Sequence, residues 1–284
     1  MLETIIFGFT IGAVLYLFSI GLSLTFGTMH IINFSHALVY ALGVYLFVTF
    51  GTGAGFSFVP ALIAATVVMI PLAWAIERFV IRRLYGDGLD YAIIATYALL
   101  LIGTDIIKVI WGSLPQPINV PMQATISLGQ GGISVYRVVI VVVAILLFFG
   151  LRQFFKRTVV GQIVVAALED NEGVRCLGIN VNRYFSIVFV IGSVLAIVGG
   201  ILYAPLSTAE PYMGFHILLL AFSVVIVGGM GSTTGTFYAA FALGMMMAVV
   251  GRFWPAGSNA SVFLAMAAVI IYRHTILPKI RAAR

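Results

Sequence analysis

Long apolar runs alternate with short polar segments along the whole chain. Nine such runs occupy residues 4–26, 31–50, 59–75, 91–111, 136–151, 184–206, 215–227, 237–250 and 261–272. An α-helix needs about 20 apolar residues to cross the hydrocarbon core of a bilayer, and most of these runs reach or approach that length. The shorter runs lie beside glycine-rich breaks. The pattern predicts an all-α polytopic membrane protein with about eight to nine transmembrane segments, some of them broken, glycine-rich helices.

The composition excludes a soluble protein. Hydrophobic residues make up 62% of the 284 positions and charged residues only 8%, a balance far from that of soluble folds. The longest polar segments are loops, so residues 1–284 are expected to form a single transmembrane domain. Cys176 is the only cysteine, which excludes an intrachain disulfide, and no cysteine and histidine residues have metal-ligand spacing.

The basic residues predict the orientation in the membrane. The formal net charge is +6, but the cations cluster between apolar runs and form no stripe of the kind that binds nucleic acid. The four clusters are Arg78, Arg82 and Arg83; Arg152, Lys156 and Arg157; Arg175 and Arg183; and Arg273, Lys279, Arg281 and Arg284. Because cytoplasmic loops are enriched in such residues, the N-terminus and the loop 112–135 are expected outside and the C-terminus in the cytoplasm.

The outer loop 112–135 contains three prolines and short alternating apolar and polar pieces. This pattern suits an extended or hairpin cap better than a folded domain, but a plain connector is favoured over such a cap.

The longest polar interruption, at about residues 152–183, predicts a short amphipathic helix at the cytoplasmic surface. As one helix it places Ile163, Ala166, Ala167, Asp170, Val174 and Leu177 on one face and Glu169, Glu172 and Arg175 on another. Gly161 and Gly178 are expected to delimit the helix. Such a helix either lies at the membrane interface without a partner or forms the contact with another protein.

Two further stretches combine hydrogen-bonding side chains with glycine. The first carries Asn33, Ser35 and His36, which face either a watery path or other helices, because polar groups in lipid must be satisfied internally. The second, residues 228–235, has four glycines in eight positions, which argues against a continuous helix. It is either a broken helix that lines a cavity or a tight turn at the inner surface.

Charged residues within or beside the runs have simpler interpretations. Asp105 and Lys108 lie one helical turn apart and could form a functional pair, but the adjacent Trp111 favours an ion pair at the membrane interface. Glu77 and Arg78 end the third run and are interpreted as a solvated inner boundary.

Three ordered segments resemble one known family. The segments LEDNEGVRCLGIN at 168–180, INFSHALVYALGVY at 32–45 and AFSVVIVGGMGSTTGTFYAAFALG at 221–244 are similar to the coupling loop and the two membrane signatures of the bacterial branched-chain amino acid permeases of the LivH type. The resemblance extends from about residue 12 to residue 277.

The resemblance implies the permease subunit of a binding-protein-dependent ABC importer in the bacterial inner membrane. It implies a paralogous LivM-like permease, two cytoplasmic ATPase subunits and a periplasmic substrate-binding protein as partners. ATP and Mg²⁺ would bind the ATPase subunits, and this chain would hold no catalytic residue, cofactor or metal. The solutes would be branched-chain amino acids or related small carboxylated or amide compounds.

The resemblance also implies two sets of site residues. Coupling to the ATPase would involve Ala166, Ala167, Glu169, Asp170, Glu172, Gly173, Leu177 and Gly178. The translocation pathway would involve Asn33, Ser35, His36, Gly228, Gly229, Gly231, Ser232 and Thr233.

Three other functional classes are compatible with a membrane protein. A stand-alone secondary carrier or channel would need intramembrane carboxylates for ion coupling, and Asp105 is a poor candidate. A membrane scaffold has no need of irregular backbone within the bilayer. A membrane enzyme would need a nucleophile and base, paired carboxylates or a metal motif, and none is recognisable in the sequence.

Overall fold

The computed structural model describes residues 2–29, 31–85, 88–128 and 131–273. These residues form eleven α-helices: α1 (Leu2–Met29), α2 (Ser35–Val48), α3 (Phe58–Phe79), α4 (Leu89–Trp111), α5 (Val135–Arg157), α6 (Val159–Glu169), α7 (Asn171–Cys176), α8 (Val181–Tyr203), α9 (Met213–Gly228), α10 (Thr233–Phe253) and α11 (Ser258–Ile271). All except α6 and α7 correspond to the nine predicted apolar runs. Lys279, Arg281 and Arg284 of the fourth basic cluster lie outside the described residues.

Seven of the helices in the described ranges are long and apolar enough to cross a membrane, counting the short π- or 3₁₀-helical extensions of α2, α3 and α8. α9 and α11 are apolar but shorter. The predicted all-α polytopic fold is therefore confirmed.

α1 is the centre of the bundle. It packs against α5, α8, α9 and α10, and 72% of its most apolar window is buried, as is that of α8. The corresponding share is 28% for α3, α4 and α5, which therefore form an outer layer with apolar side chains facing outward. A helix that is apolar all round is expected to be buried in this way.

Glycine allows α1 and α10 to approach closely. A Cβ atom on Gly244 would lie 2.4 Å from the backbone nitrogen of Gly12, so the two backbones touch where both residues lack a side chain. Small residues at helix crossings are typical of membrane proteins, in which close packing replaces the hydrophobic driving force.

The four strands of the described residues are short, with two to four residues each. β2 (Thr125–Leu128) and β3 (Gly131–Ser134) form an antiparallel hairpin, so the loop 112–135 contains a hairpin and is not the plain connector that the sequence analysis favoured. β1 (Gln116–Pro117) pairs with β4 (Thr208–Ala209), so the loop after α4 is joined to the segment after α8.

The helices alternate in direction, which gives the bundle two distinct ends. The basic end carries the arginines and lysines at the ends of α3 and α5, in the turn after α3, in α7, at the start of α8 and directly after α11. At the opposite end, the guanidinium of Arg252 donates to Thr4 at 2.9 Å and the indole of Trp111 donates to Thr49 at 2.7 Å.

The segment 204–212 runs from the opposite end into the bundle before α9 begins. Ala209 is buried beside Tyr45, whose hydroxyl lies 3.4 Å from the Ala209 carbonyl. Gly214, at the start of α9, lies against the backbone carbonyl of Ala37. α9 therefore starts inside the bundle, which explains why it has only 16 residues.

Candidate functional site at the basic end

α6 begins with a tight connection from α5. The hydroxyl of Thr158 accepts a hydrogen bond from the Gly161 backbone N–H at 3.0 Å and caps the first turn. A Cβ on Gly161 would lie 2.5 Å from the Phe154 carbonyl oxygen and from Phe155 Cα. Gly161 is thus part of α6 and is the point where α6 touches the end of α5, whereas the sequence analysis placed it before the helix.

The predicted single amphipathic helix is wrong, because the chain breaks at Asp170. This residue is extended, with φ −148° and ψ 92°, and its carboxylate accepts a hydrogen bond from the Gly173 N–H at 2.9 Å. Asp170 therefore caps α7 and does not continue α6. Aspartate is among the preferred capping residues, and the spacing Asp-x-x-Gly was the sequence signal for this break.

The exposed faces of α6 and α7 differ in part from the prediction. Val164, Ala167 and Val174 are buried in the bundle, so Ala167 packs inward. Leu177, which was predicted on the same face as Val174, is 77% exposed. Among the other predicted coupling residues, Ala166, Glu169, Asp170, Glu172 and Gly178 are exposed and Gly173 is half-buried.

Exposed apolar side chains accompany these residues. Val159 is 70% and Val165 is 41% exposed. Together with Ala166, Glu169, Asp170, Glu172 and Leu177 they form a mixed apolar and acidic surface at the basic end, which we call the α6/α7 surface.

The inner side of α6 contacts the glycine-rich turn between α9 and α10. A Cβ on Gly27 would lie 2.8 Å from the Leu168 side chain, and one on Gly231 would lie 3.5 Å from the same Cδ2 atom. Leu168 is therefore seated where α1 and the turn meet.

The glycine-rich stretch forms a turn and does not continue either helix. Gly229 and Gly231 have φ angles of +93° and +81°, a region that favours glycine. The Gly231 N–H donates to the carbonyl and the hydroxyl of Ser23, both at 3.1 Å. Ser232 caps α10 through the Gly235 N–H at 3.0 Å. Of the two interpretations of residues 228–235, the structure agrees with the tight turn, which lies at the basic end between Gly228 and Thr233.

The first polar stretch is buried between α1 and α2. The Asn33 side-chain oxygen accepts hydrogen bonds from the backbone N–H of Ser35 at 3.1 Å and from its hydroxyl at 2.5 Å. The His36 Nε2 atom forms a hydrogen bond with the Phe18 carbonyl at 3.1 Å. The His36 and Phe18 rings also pack together, with 4.9 Å between their centroids. Ser35 and His36 thus hold the start of α2 in place and are fully buried.

Asn33 and the turn line one small cavity. Its volume is about 210 Å³, and Phe26, Phe222 and Met230 contribute to its walls. The other predicted pathway residues do not line this cavity. They are Ser35, His36, Gly228, Gly229, Gly231, Ser232 and Thr233. Their role in a pathway remains a prediction.

A second feature of the basic end was missed in the sequence. Glu77 was interpreted as solvated, but it is fully buried, and Arg82 donates two hydrogen bonds to its carboxylate at 3.2 and 3.3 Å. Tyr85 donates to the same carboxylate at 2.8 Å. Burial, and next the neighbouring Glu77 charge, raise the pKa of the Tyr85 phenol well above its usual value, so it remains a donor.

Sequence reasoning also missed a larger cavity towards the opposite end. Its volume is about 620 Å³, and it is lined by residues of α1, α2, α8, α9, α10, α11 and the segment before α9. Glu210, His216 and Asn259 give it a polar part, with 3.5 Å between the Glu210 carboxylate and His216 Nε2. The signal was present, because Glu210 is the only acidic residue after Glu172 and an isolated carboxylate among apolar runs marks a functional candidate.

The Asp105 and Lys108 pair lies at the surface of α4. The two charges are 2.9 Å apart, and the ammonium also donates to the Tyr212 hydroxyl at 2.6 Å. This geometry agrees with the predicted ion pair, whereas its position at a membrane interface stays a prediction. Across the described residues, no group of three or more histidine, cysteine, aspartate or glutamate side chains could hold a metal ion.

The described residues thus form an all-helical membrane bundle whose surface helix α6 packs on the turn between α9 and α10. The chain belongs to the family described as the permease component of the branched-chain amino acid transport system, whose model matches residues 4–272. The predicted role of an ABC importer permease is thus confirmed, and the alternative of a stand-alone carrier or channel has no support.

Curated relatives agree with this assignment. The chain is 27% identical over 258 residues to the high-affinity branched-chain amino acid transport system permease protein BraD of Pseudomonas aeruginosa, covering 86% of this chain and 84% of the relative. It is 26% identical over 256 residues to the permease protein LivH of Escherichia coli K12, covering 85% and 83% respectively.

A solved structure has a similar fold. The match is to a chain of PsaBC from Streptococcus pneumoniae in complex with Fab, with a TM-score of 0.50 and 16% identity, covering 99% of this chain and 92% of the other. At this identity the similarity concerns the fold alone.

Proposed function

We propose that this chain forms one half of the translocation pathway of an ABC importer for branched-chain amino acids or related small carboxylated or amide solutes. The second half would be a paralogous LivM-like permease. ATP and Mg²⁺ would bind two cytoplasmic ATPase subunits, and a periplasmic binding protein would deliver the solute. Family membership and the names of the relatives support the solute class and the multi-subunit arrangement.

The observation that carries the proposal is the α6/α7 surface. It exposes apolar and acidic side chains at the basic end, while its inner side holds Leu168 against Gly27 and Gly231. A surface of this kind is suited to receive a partner subunit and to pass its movement on to α1 and to the turn between α9 and α10. Closure of the ATPase subunits would thereby bias the bundle between inward-open and outward-open states.

The proposed orientation places the basic end in the cytoplasm. Basic residues concentrate there, as expected for cytoplasmic loops of an inner-membrane protein. The N-terminus would then lie outside and the C-terminus in the cytoplasm, and the β2 and β3 hairpin would lie outside, where the binding protein docks.

The proposed solute path includes the cavity of about 620 Å³. Its polar part could bind the charged or amide group of a small solute, and its apolar walls could accommodate an aliphatic side chain. The cavity lies between the opposite end and the small cavity at Asn33, so a solute that leaves it would move towards the glycine-rich turn.

The test is reconstitution into liposomes with the candidate permease, ATPase and binding-protein subunits encoded beside this chain. ATP hydrolysis and uptake stimulated by leucine should require all subunits. Replacing Glu169, Asp170 and Glu172 by alanine should abolish the stimulation, and Glu3→Ala, at the opposite end, should not. Solute flux through this chain alone without ATP would refute the proposal.

A further inference from the structure

A groove between α3 and α8 at the basic end is separate from the cavities described above. Its volume is about 990 Å³. Three of its described lining residues are arginines, Arg78, Arg82 and Arg183, and none is acidic. We propose that this groove is a binding site for an anionic phospholipid, with the phosphate at the arginines and an acyl chain along the apolar walls.

Two of the arginines are free to bind a phosphate. Arg78 and Arg183 are exposed, and neither guanidinium forms a hydrogen bond or an ion pair with another described residue. Arginine is suited to this role because its planar guanidinium can donate two parallel hydrogen bonds to phosphate oxygens.

The third arginine holds the two helices together and is already occupied. Arg82 pairs with the buried Glu77 and donates hydrogen bonds to the Ser186 hydroxyl and to the Asn182 carbonyl. Because Glu77 is neutralised in this way, the positive charges of Arg78 and Arg183 are not cancelled by it. The groove therefore keeps a net positive charge at its headgroup end.

The remaining walls are apolar and continue away from the arginines. On α3, Trp74 and Ile70 lie one and two helical turns before Arg78, and on α8, Ile187 lies one turn after Arg183, followed by Val190. At 1.5 Å per residue, the wall from Arg78 to Ile70 is about 12 Å long. Charge at one end and a long apolar wall behind it are the features of a site for an amphiphile.

The position in the bundle favours a lipid over a soluble anion. Both helices are membrane spans, and the arginines lie near their basic ends, where Arg183 is the third residue of α8. Basic pockets between transmembrane helices at this depth bind lipid headgroups. A free phosphate would use the arginines and leave the apolar walls without function.

The groove also lies close to α7, which carries part of the α6/α7 surface. Asn180, which lines it, precedes α8 and follows α7 by four residues. Arg175 in α7 contacts Asn182 in α8 at 3.4 Å. An occupied groove would hold the start of α8, and through it α7, in one position.

The experiment measures lipid binding to the purified full-length chain by native mass spectrometry. Phosphatidylglycerol should bind in preference to phosphatidylcholine. Each change Arg78→Gln or Arg183→Gln should lower the affinity for phosphatidylglycerol roughly fivefold, and the double variant roughly thirtyfold, since each basic residue contributes about 1 kcal/mol at a membrane surface. The matched control is Arg152→Gln, an exposed arginine at the same end of the bundle and outside the groove.

A second variant distinguishes a lipid from a free phosphate. Ile187→Trp fills the apolar part and leaves all three arginines, so it should weaken phosphatidylglycerol binding without changing any binding of inorganic phosphate. Equal binding of the two lipids, equal loss in the Arg152→Gln control, or unchanged phosphatidylglycerol binding in Ile187→Trp would each overturn the proposal. If the double arginine variant does not fold, the result for Ile187→Trp decides.

Discussion

Replacing Gly161 with alanine would place one methyl group at the closest contact between α5 and α6. The new Cβ would lie 2.5 Å from both the Phe154 carbonyl oxygen and Phe155 Cα. Ordinary contacts begin at 3.4 Å, and backbone atoms cannot rotate away as a side chain could. The start of α6 would have to move by about 1 Å, and overpacking of this kind costs roughly 1–3 kcal/mol.

The intrinsic gain of alanine over glycine in a helix must be separated from this cost. That gain is about 1 kcal/mol. Gly150→Ala is the matched control, because Gly150 lies in α5 and a Cβ there would meet nothing within 4 Å. The difference between the two variants isolates the collision. Gly161→Ala should therefore be less stable than Gly150→Ala by roughly 1–3 kcal/mol.

The functional consequence follows from the position of Leu168 on the same helix. If α6 transmits movement to the turn at Gly231, a shift of α6 should lower solute uptake per ATP hydrolysed. Thermal unfolding in detergent gives the stability difference, and uptake with ATP hydrolysis in proteoliposomes gives the coupling ratio. Equal melting temperatures and equal coupling ratios for Gly161→Ala and Gly150→Ala would refute the reasoning.

Three further changes test other parts of the basic end. Glu77→Gln removes the buried partner of Arg82 and should lower the free energy of unfolding by about 3–5 kcal/mol, so an unchanged thermal melt would contradict the ion pair. Asp170→Ala removes the α7 cap at a cost of about 1 kcal/mol and should speed amide hydrogen exchange in α7, whereas Asp170→Asn should retain the protection. Gly231→Ala and Gly55→Ala both force alanine into a positive φ, at +81° and +70°, and each should cost roughly 1–2 kcal/mol. Only Gly231→Ala should also impair uptake, because a Cβ on Gly55 meets nothing within 4 Å; equal uptake in the two variants would contradict a role for the turn.

The arrangement of helices along the chain could be predicted from hydropathy, because each span must satisfy the same length and polarity limits independently of its neighbours. All nine apolar runs became helices, and the turn at residues 228–233 follows from glycines that need a positive φ. The break at Asp170 was missed because the amphipathic pattern of a single helix also accommodates Asp170 on one face. The capping signal was nevertheless present in the sequence.

Contacts across the bundle could not be predicted. Ser23 and Gly231 are 208 positions apart, and nothing in either local sequence specifies the other. The same holds for the burial of Glu77. Its carboxylate is paired with Arg82, which lies in the turn after α3 and also donates a hydrogen bond to Ser186 of α8. Glu210 was missed because it lines the cavity only through the path of the segment 204–212, which runs into the bundle. Hydropathy cannot distinguish such a segment from a surface loop.

The central position of α1 has a consequence for the biogenesis of the protein. α1 is synthesised before α8 and α10, the helices with which it packs, and α8 begins more than 150 residues after the end of α1. At synthesis rates of about 5–20 residues per second, α8 follows α1 after roughly 8 to 30 seconds and α10 after roughly 10 to 40 seconds. During that time the hydroxyls of Ser23, Thr25 and Thr28 would face lipid or the insertion machinery. The hydroxyls of Thr25 and Thr28 can be satisfied at once by carbonyls of their own helix, at 2.9 and 2.8 Å, whereas Ser23 acquires its contacts with Gly231 and Thr236 only when the last third of the chain has been inserted.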